Sequence, residues 1–243
     1  MSRRRAFLRN AFFTRLSSED LPDEERLGFL PAMAHFILSF GDLNRYVLRY
    51  AEPRTALEHA VNEHTQEDAN HWPWYLADLR ALGYDEQGSR TRWLLDCWSE
   101  ETKAARQLTY TLVQLISGTP AQERIALIEV MEETGNAVFS ALAPIAARIE
   151  KTRGVKLQFC GQHHLDRESG HTLSLDHGAL AAIDLTPSAR AAVIAKVDTA
   201  FDAFEEFLLA CAGYAQQRWT STTSACAAGA QQPSYRSPAR PGW

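Results

Sequence analysis

The chain has 243 residues, 25 of them Lys or Arg and 30 Asp or Glu, for a net charge of −5. With 45% hydrophobic and 10% aromatic residues, most of it is too apolar for a disordered chain and it is long enough to bury a core in one domain. The mildly acidic balance gives nucleic acid no basic face, and no stretch approaches the roughly 20 consecutive apolar residues of a membrane span.

The pattern is helical nearly throughout, with no alternating Val, Ile and Thr runs, which predicts an all-α fold: one bundle of about six to seven helices. Residues 1–27 are basic, with Phe12 and Phe13 adjacent. They lack the apolar core and cleavage site of a secretory signal and read as an N-terminal helix or loose arm. A first strong helix spans 28–51, with Phe29, Met33, Phe36 and Phe40 on one face and Pro31 in its first turn. A second spans 55–82, kinked at Pro73 and stopped by Gly83. A third covers 89–116 and a fourth 121–151, the latter bent or divided by Pro144. A fifth runs from 155 to 175. The last starts at Thr186-Pro187, an N-cap followed by a first-turn proline, and fades near 219. The helical domain is therefore expected over 28–219. Residues 220–243, rich in Ser, Thr, Ala, Pro and Gly, read as a disordered tail. Cys97, Cys160, Cys211 and Cys226 form no CxxC pair and read as the reduced thiols of a cytoplasmic protein.

The histidines carry the most information. Five of the eight lie in two short stretches, both in predicted helices. In His64-Thr-Gln-Glu67-Asp68-Ala-Asn-His71, the two imidazoles and both carboxylates project within an arc about 100° wide; His164, Glu168 and His171 share one about 60° wide. Two such stripes facing each other across a bundle build a metal site, and mixed imidazole and carboxylate donors suit iron, manganese or zinc. A third helix offers Glu132 at the margin of its apolar face, with Glu129 and Glu133 turned further away. Glu101 projects from the middle of the apolar stripe of residues 89–116 and is a candidate catalytic acid or base, or else the partner of a neighbouring Arg. Phosphate loops, GxSxG, HExxH and a dinucleotide fingerprint are absent.

These residues resemble the haem-oxygenase-like superfamily, above all its non-haem di-iron oxidases and oxygenases. The signature of that group on its last core helix looks like His-x3-Asp/Glu-x2-His, matched by His164, Glu168 and His171. An earlier core helix carries a ligand His followed by an apolar stretch ending in Leu-Gly. His71 followed by Asp78-Leu-Arg-Ala-Leu-Gly83 is similar, and Glu132 stands where a bridging Glu is expected. One common form of the family has a Glu seven residues before that His, where this chain has His64; Glu67 or Asp68 is then the alternative. The resemblance implies a bundle binding two non-haem iron ions through His64, Glu67, His71, Glu132, His164, Glu168 and His171, with O2 as co-substrate. The implied reactions are N-oxygenation, desaturation or oxidative C–C cleavage of an amino-acid-like or fatty-acid-like small molecule, with electrons from an external reductant or the substrate. Neither nucleic acid nor membrane is an expected partner, and a homodimer is compatible with the sequence. The competing readings are a metal-independent enzyme on the same fold, like the thiaminase-II and PQQ-synthesis branches, a zinc or single-metal hydrolase, and a non-enzymatic helical binding module.

Overall fold

The computed structural model describes residues 3–86, 89–168 and 184–227. Every regular element among them is helical. Three short helices, α1 (Arg3–Phe7), α2 (Ala11–Leu16) and α3 (Asp23–Arg26), open the chain. They are packed rather than loose: Phe7 and Phe12 are buried, and the Phe12 and Phe29 rings meet edge to face at 4.8 Å.

Residues 28–51 form a short 3-10 turn (Leu30–Met33), then α4 (Ala34–Asp42), then a π-helical segment (Leu43–Leu48). Arg124 closes that segment. Its guanidinium is buried, donates to the carbonyls of Val47 (3.2 Å) and Leu48, and lies 4.0 Å from the Tyr50 ring centre.

The expected helix over 55–82 is two helices, α5 (Ala56–Asp68) and α6 (Trp72–Ala81). Thr55 and Glu58 close a capping box at the start of α5. The break follows from Pro73, whose ring would collide with the carbonyl four residues earlier, that of Ala69. The chain leaves the helix there and resumes with Pro73 in the first turn of α6, where its missing N–H costs nothing. Gly41 lets α4 approach this break, since a Cβ on it would stand 2.9 Å from the Ala69 carbonyl oxygen.

The expected helix over 89–116 is also divided, into α7 (Arg90–Trp98) and α8 (Lys103–Ile116). Thr102 Oγ1 donates to the Asp96 carbonyl, and Arg106 to the carbonyls of Cys97 (2.6 Å) and Ser99 (2.9 Å). These side chains end α7 by satisfying its last carbonyls. By contrast α9 (Ala121–Arg153) runs unbroken through Pro144 and ends at Gly154 in the left-handed region.

The fifth helix starts later than expected, as α10 (Gln162–Glu168). The preceding loop spends its backbone donors elsewhere: Leu157 N–H on Glu150 (2.8 Å), and Gln158 and Cys160 N–H on Asp78 (2.6 and 2.8 Å). The expected continuation to 175 lies outside the described residues. Helix α11 (Pro187–Ala227) is capped by Thr186, whose Oγ1 accepts from Ala189 N–H, and continues past 219. The tail expected over 220–243 is thus helical as far as Ala227, and residues 228–243 lie outside the described residues.

Helix α9 is the central rod, packed against α3, α5, α8, α10 and α11; α4 bridges α6 and α8, and α11 lies along α2, α8 and α9. No described helix is long and apolar enough to cross a membrane.

Candidate metal centre

His64 and Asp68 stand one turn apart at the end of α5, both almost fully buried, and face Glu132 on α9. His64 Nε2 lies 3.0 Å from Asp68 Oδ2 and 3.4 Å from Glu132 Oε1, yet neither His64 ring nitrogen makes a hydrogen bond. One donor atom from each residue lies within 4.8 Å of the others. Bonds of about 2.1 Å to a shared ion, set at right angles, would hold neighbouring donors ~3.0 Å apart. The spacing, the burial and the nitrogen–oxygen mixture therefore fit a transition-metal ion. Glu67 does not belong to this group. It is exposed, because the side of α5 turned toward α9 is the Asp68 side. Asp68, its alternative, takes the place. Glu133 is likewise turned away, onto Arg4 of α1, and Glu132 is the α9 carboxylate that lies against His64 Nε2.

His71 sits in the break between α5 and α6 and is buried. Its ring stacks on Trp74 at 4.6 Å and meets the His164 ring edge-on at 4.9 Å. His164, on α10, is 2% exposed, and its Nδ1 is 2.9 Å from the Phe159 carbonyl oxygen. A carbonyl only accepts, so Nδ1 carries a hydrogen, and in the neutral ring the lone pair is then on Nε2. That is the tautomer a metal-binding imidazole requires. The side chain of Glu168 and all of His171 lie outside the described residues.

Glu101 is corrected by the structure. The break between α7 and α8 turns it out of the apolar stripe, and it is exposed. Hydrogen bonds from its own backbone and from Ser99 hold its carboxyl below the ordinary range, against slight burial. It stands outside the cavity that Asp68, His71, Glu132 and His164 line.

That cavity, about 80 Å³, opens between α4, α9 and α11. Asp68, His71, Glu132 and His164 form its polar end; Phe36, Phe40, Val138, Phe204 and Phe207 are among its apolar walls. No Lys or Arg is among the residues described in its lining. Among the described side chains no cysteine offers an activated nucleophile: burial pushes the thiols of Cys97, Cys160 and Cys211 up, opposite to the shift a reactive thiolate needs. Beyond the predicted set, Asp78 is fully buried and holds the loop that leads into α10. Its place in the Asp-Leu-Arg-Ala-Leu-Gly stretch was the only sequence signal for it.

The chain is similar to a solved domain of unknown function with a haem-oxygenase-like fold from Shewanella denitrificans OS217, with a TM-score of 0.57, 13% identity, and 96% of this chain and 94% of that chain covered. The fold of this chain is haem-oxygenase-like, as the resemblance implied. No protein-family model and no curated protein matches the chain.

Proposed function

We propose that this protein is an O2-activating non-haem iron oxidase or oxygenase acting on a small molecule with a substantial apolar part. The observation that carries the reading is the His64–Asp68–Glu132 group, its His and Asp buried, whose two carboxylates reach the polar end of an otherwise apolar cavity. His64, Asp68 and Glu132 would hold one iron. His71 and His164, with Glu132 shared, would hold a second, joined by Glu168 and His171. Ferrous iron in such a site supplies the electrons that let O2 react with a closed-shell organic molecule.

The protein's own contributions are positional and electrostatic. Asp68 and Glu132 bring two carboxyl groups against His64 Nε2 in a largely buried site, where ionised carboxylates hold a cation more strongly than in water. The Phe159 carbonyl holds the His164 ring in one tautomer, and Trp74 holds His71 by stacking. The aromatic walls exclude water from the space where substrate would lie. They suit a hydrocarbon chain or ring, which agrees with an amino-acid-like or fatty-acid-like substrate undergoing N-oxygenation, desaturation or C–C cleavage.

The test is anaerobic loading with Fe(II), metal analysis, and O2 uptake in the presence of candidate amino and fatty acids. About two irons per chain, reduced in H64A and H71A, with substrate-dependent O2 uptake, is the expected result. An absence of stoichiometric iron in the wild type would overturn the reading. A single-ion site is the second reading, favoured by the one three-donor group among the described residues; a stoichiometry of one, lost in H64A and kept in H71A, would select it.

A further inference from the structure

His164 is held by a loop rather than by its own helix, and that loop is fastened from far away. The Asp78 carboxylate, fully buried on α6, accepts from the backbone N–H of Gln158 through Oδ1 (2.6 Å) and of Cys160 through Oδ2 (2.8 Å). Between those two anchored residues lies Phe159, whose carbonyl fixes His164 Nδ1. The Phe159 ring closes the arrangement, packing against His164 at 5.0 Å, Phe139 at 5.2 Å and Tyr75 at 5.4 Å. Burial pushes the Asp78 carboxyl up, and the loop N–H groups pull against that shift, so these donors are what an ionised Asp78 depends on.

The position of Asp78 on its helix matters as much as its bonds. His71 precedes α6, and Asp78 follows it by about two turns, which puts both on one stripe with Tyr75 between them. Tyr75 is itself pinned, its hydroxyl donating to the Leu30 carbonyl at 2.7 Å. Helix α6 thus starts at His71, its N-cap residue, and reaches the His164 imidazole by way of a carboxylate and a loop.

We propose that Asp78 is a positioning residue that sets the ring orientation and tautomer of His164, and thereby its distance from His71, through the Gln158–Cys160 backbone. That His164 then meets a metal rests on the function proposed above; the latch itself does not. Replacing Asp78 by Asn keeps the size of the side chain but sets an amide NH2 against one of the loop donors. Replacing it by Ala leaves both donors buried without acceptors. Either change frees the Phe159 carbonyl to drift from His164.

The experiment uses the full chain in three variants: Asp78→Asn, Asp78→Ala and Glu150→Ala. The last loosens the same loop at Leu157, away from His164, and is the control for mere loop stability. In the metal-free proteins, long-range 15N–1H NMR reads the imidazole tautomers. His164 is expected to be protonated at Nδ1 in the wild type and in Glu150→Ala, and to become a tautomer mixture in the Asp78 variants. With Co(II) as the probe, the Asp78 variants are expected to lose roughly 10- to 100-fold in affinity at the position that uses His71 and His164. They should keep wild-type affinity at His64, Asp68 and Glu132. If Asp78→Ala does not fold, Asp78→Asn decides alone. A native His164 tautomer in folded Asp78→Asn overturns the proposal, and so does equal disturbance of the tautomer in Glu150→Ala. If the wild type takes up no metal, the function proposed above fails while the tautomer arm still decides the role of Asp78.

Discussion

Gly135 is an expensive residue to keep in the middle of α9, and replacing it should separate stability from function. In a helix interior, Gly is about 0.8–1.0 kcal/mol worse than Ala. A Cβ added at Gly135 would meet only the edge of the Phe139 ring, at 3.7 and 4.0 Å, which is ordinary contact. Gly135→Ala is therefore expected to stabilise the protein by about 1 kcal/mol, a rise of about 2–4 °C in Tm for a chain of this size. A larger side chain would also fill space. Gly135 lies in the cavity wall one turn from Glu132, and the cavity measures about 80 Å³. At about 24 cal/mol per Å³ of cavity removed, Gly135→Leu gains up to ~2 kcal/mol more if the leucine is accommodated. It does so by occupying the space assigned here to substrate. The assay pairs urea denaturation, read as a midpoint shift at constant slope, with titration of a fluorescent apolar probe. Rising stability with falling probe affinity from Gly to Ala to Leu is the expected result. Destabilisation by Ala, or undiminished probe binding in a folded Leu variant, would refute the reasoning.

Other consequences are equally direct. Asp68→Ala should lower Fe(II) or Co(II) uptake while Glu67→Ala leaves it unchanged, by equilibrium dialysis; equal effects would place the ligand wrongly. Adding Co(II) at about 100 times its Kd should stabilise the wild type by about 2.7 kcal/mol, reversibly on chelation, and His64→Ala should remove that gain in a thermal melt. Arg124→Met strands the carbonyls of Val47, Leu48 and Thr119 that the guanidinium now serves; a loss of about 3 kcal/mol is expected by urea denaturation. Three hydrogen bonds from Arg148, at 2.7, 2.9 and 3.1 Å, hold the Asp23 carboxyl below its ordinary value of 3.8, outweighing partial burial. A carboxyl depressed in the folded state stabilises above its unfolded pKa and loses that contribution as pH falls through the folded value. Asp23→Asn should thus be less stable than wild type near pH 7 and match it at about pH 2.

Much of the site was visible as helical arithmetic, because a period of 3.6 depends only on local geometry. His64 and Asp68 share a stripe, and Glu132 rather than Glu133 turns inward, for that reason. The errors come where a distant or non-periodic partner decides. Whether Glu67 or Asp68 faces the centre depends on which side of α5 meets α9, and both lie within the predicted arc. Glu101 was misplaced because Thr102 and Arg106 cap α7 with side-chain bonds to its carbonyls, so the stripe counted through residues 99–102 does not exist in space. The late start of α10 has a similar origin: its loop donates to Asp78 and Glu150, and no local propensity reports an acceptor about 80 residues away. Pro73 was correctly suspected, but the ring clash ends the helix where a kink was expected.

The packing of α1 and α2 on α11 has a bearing on the order in which the molecule assembles. Arg3 pairs with the Asp198 carbonyl across 195 residues, and the Asn10 side chain donates to the Glu205 carbonyl. A ribosome adding about 5–20 residues per second needs roughly 10–40 s to make that intervening stretch. For that interval Phe7 and Phe12 have been made without the helix that packs against them. The closing of this end of the core is therefore a late step of biosynthesis, coming after both helices that carry His64, Asp68 and Glu132 have been made.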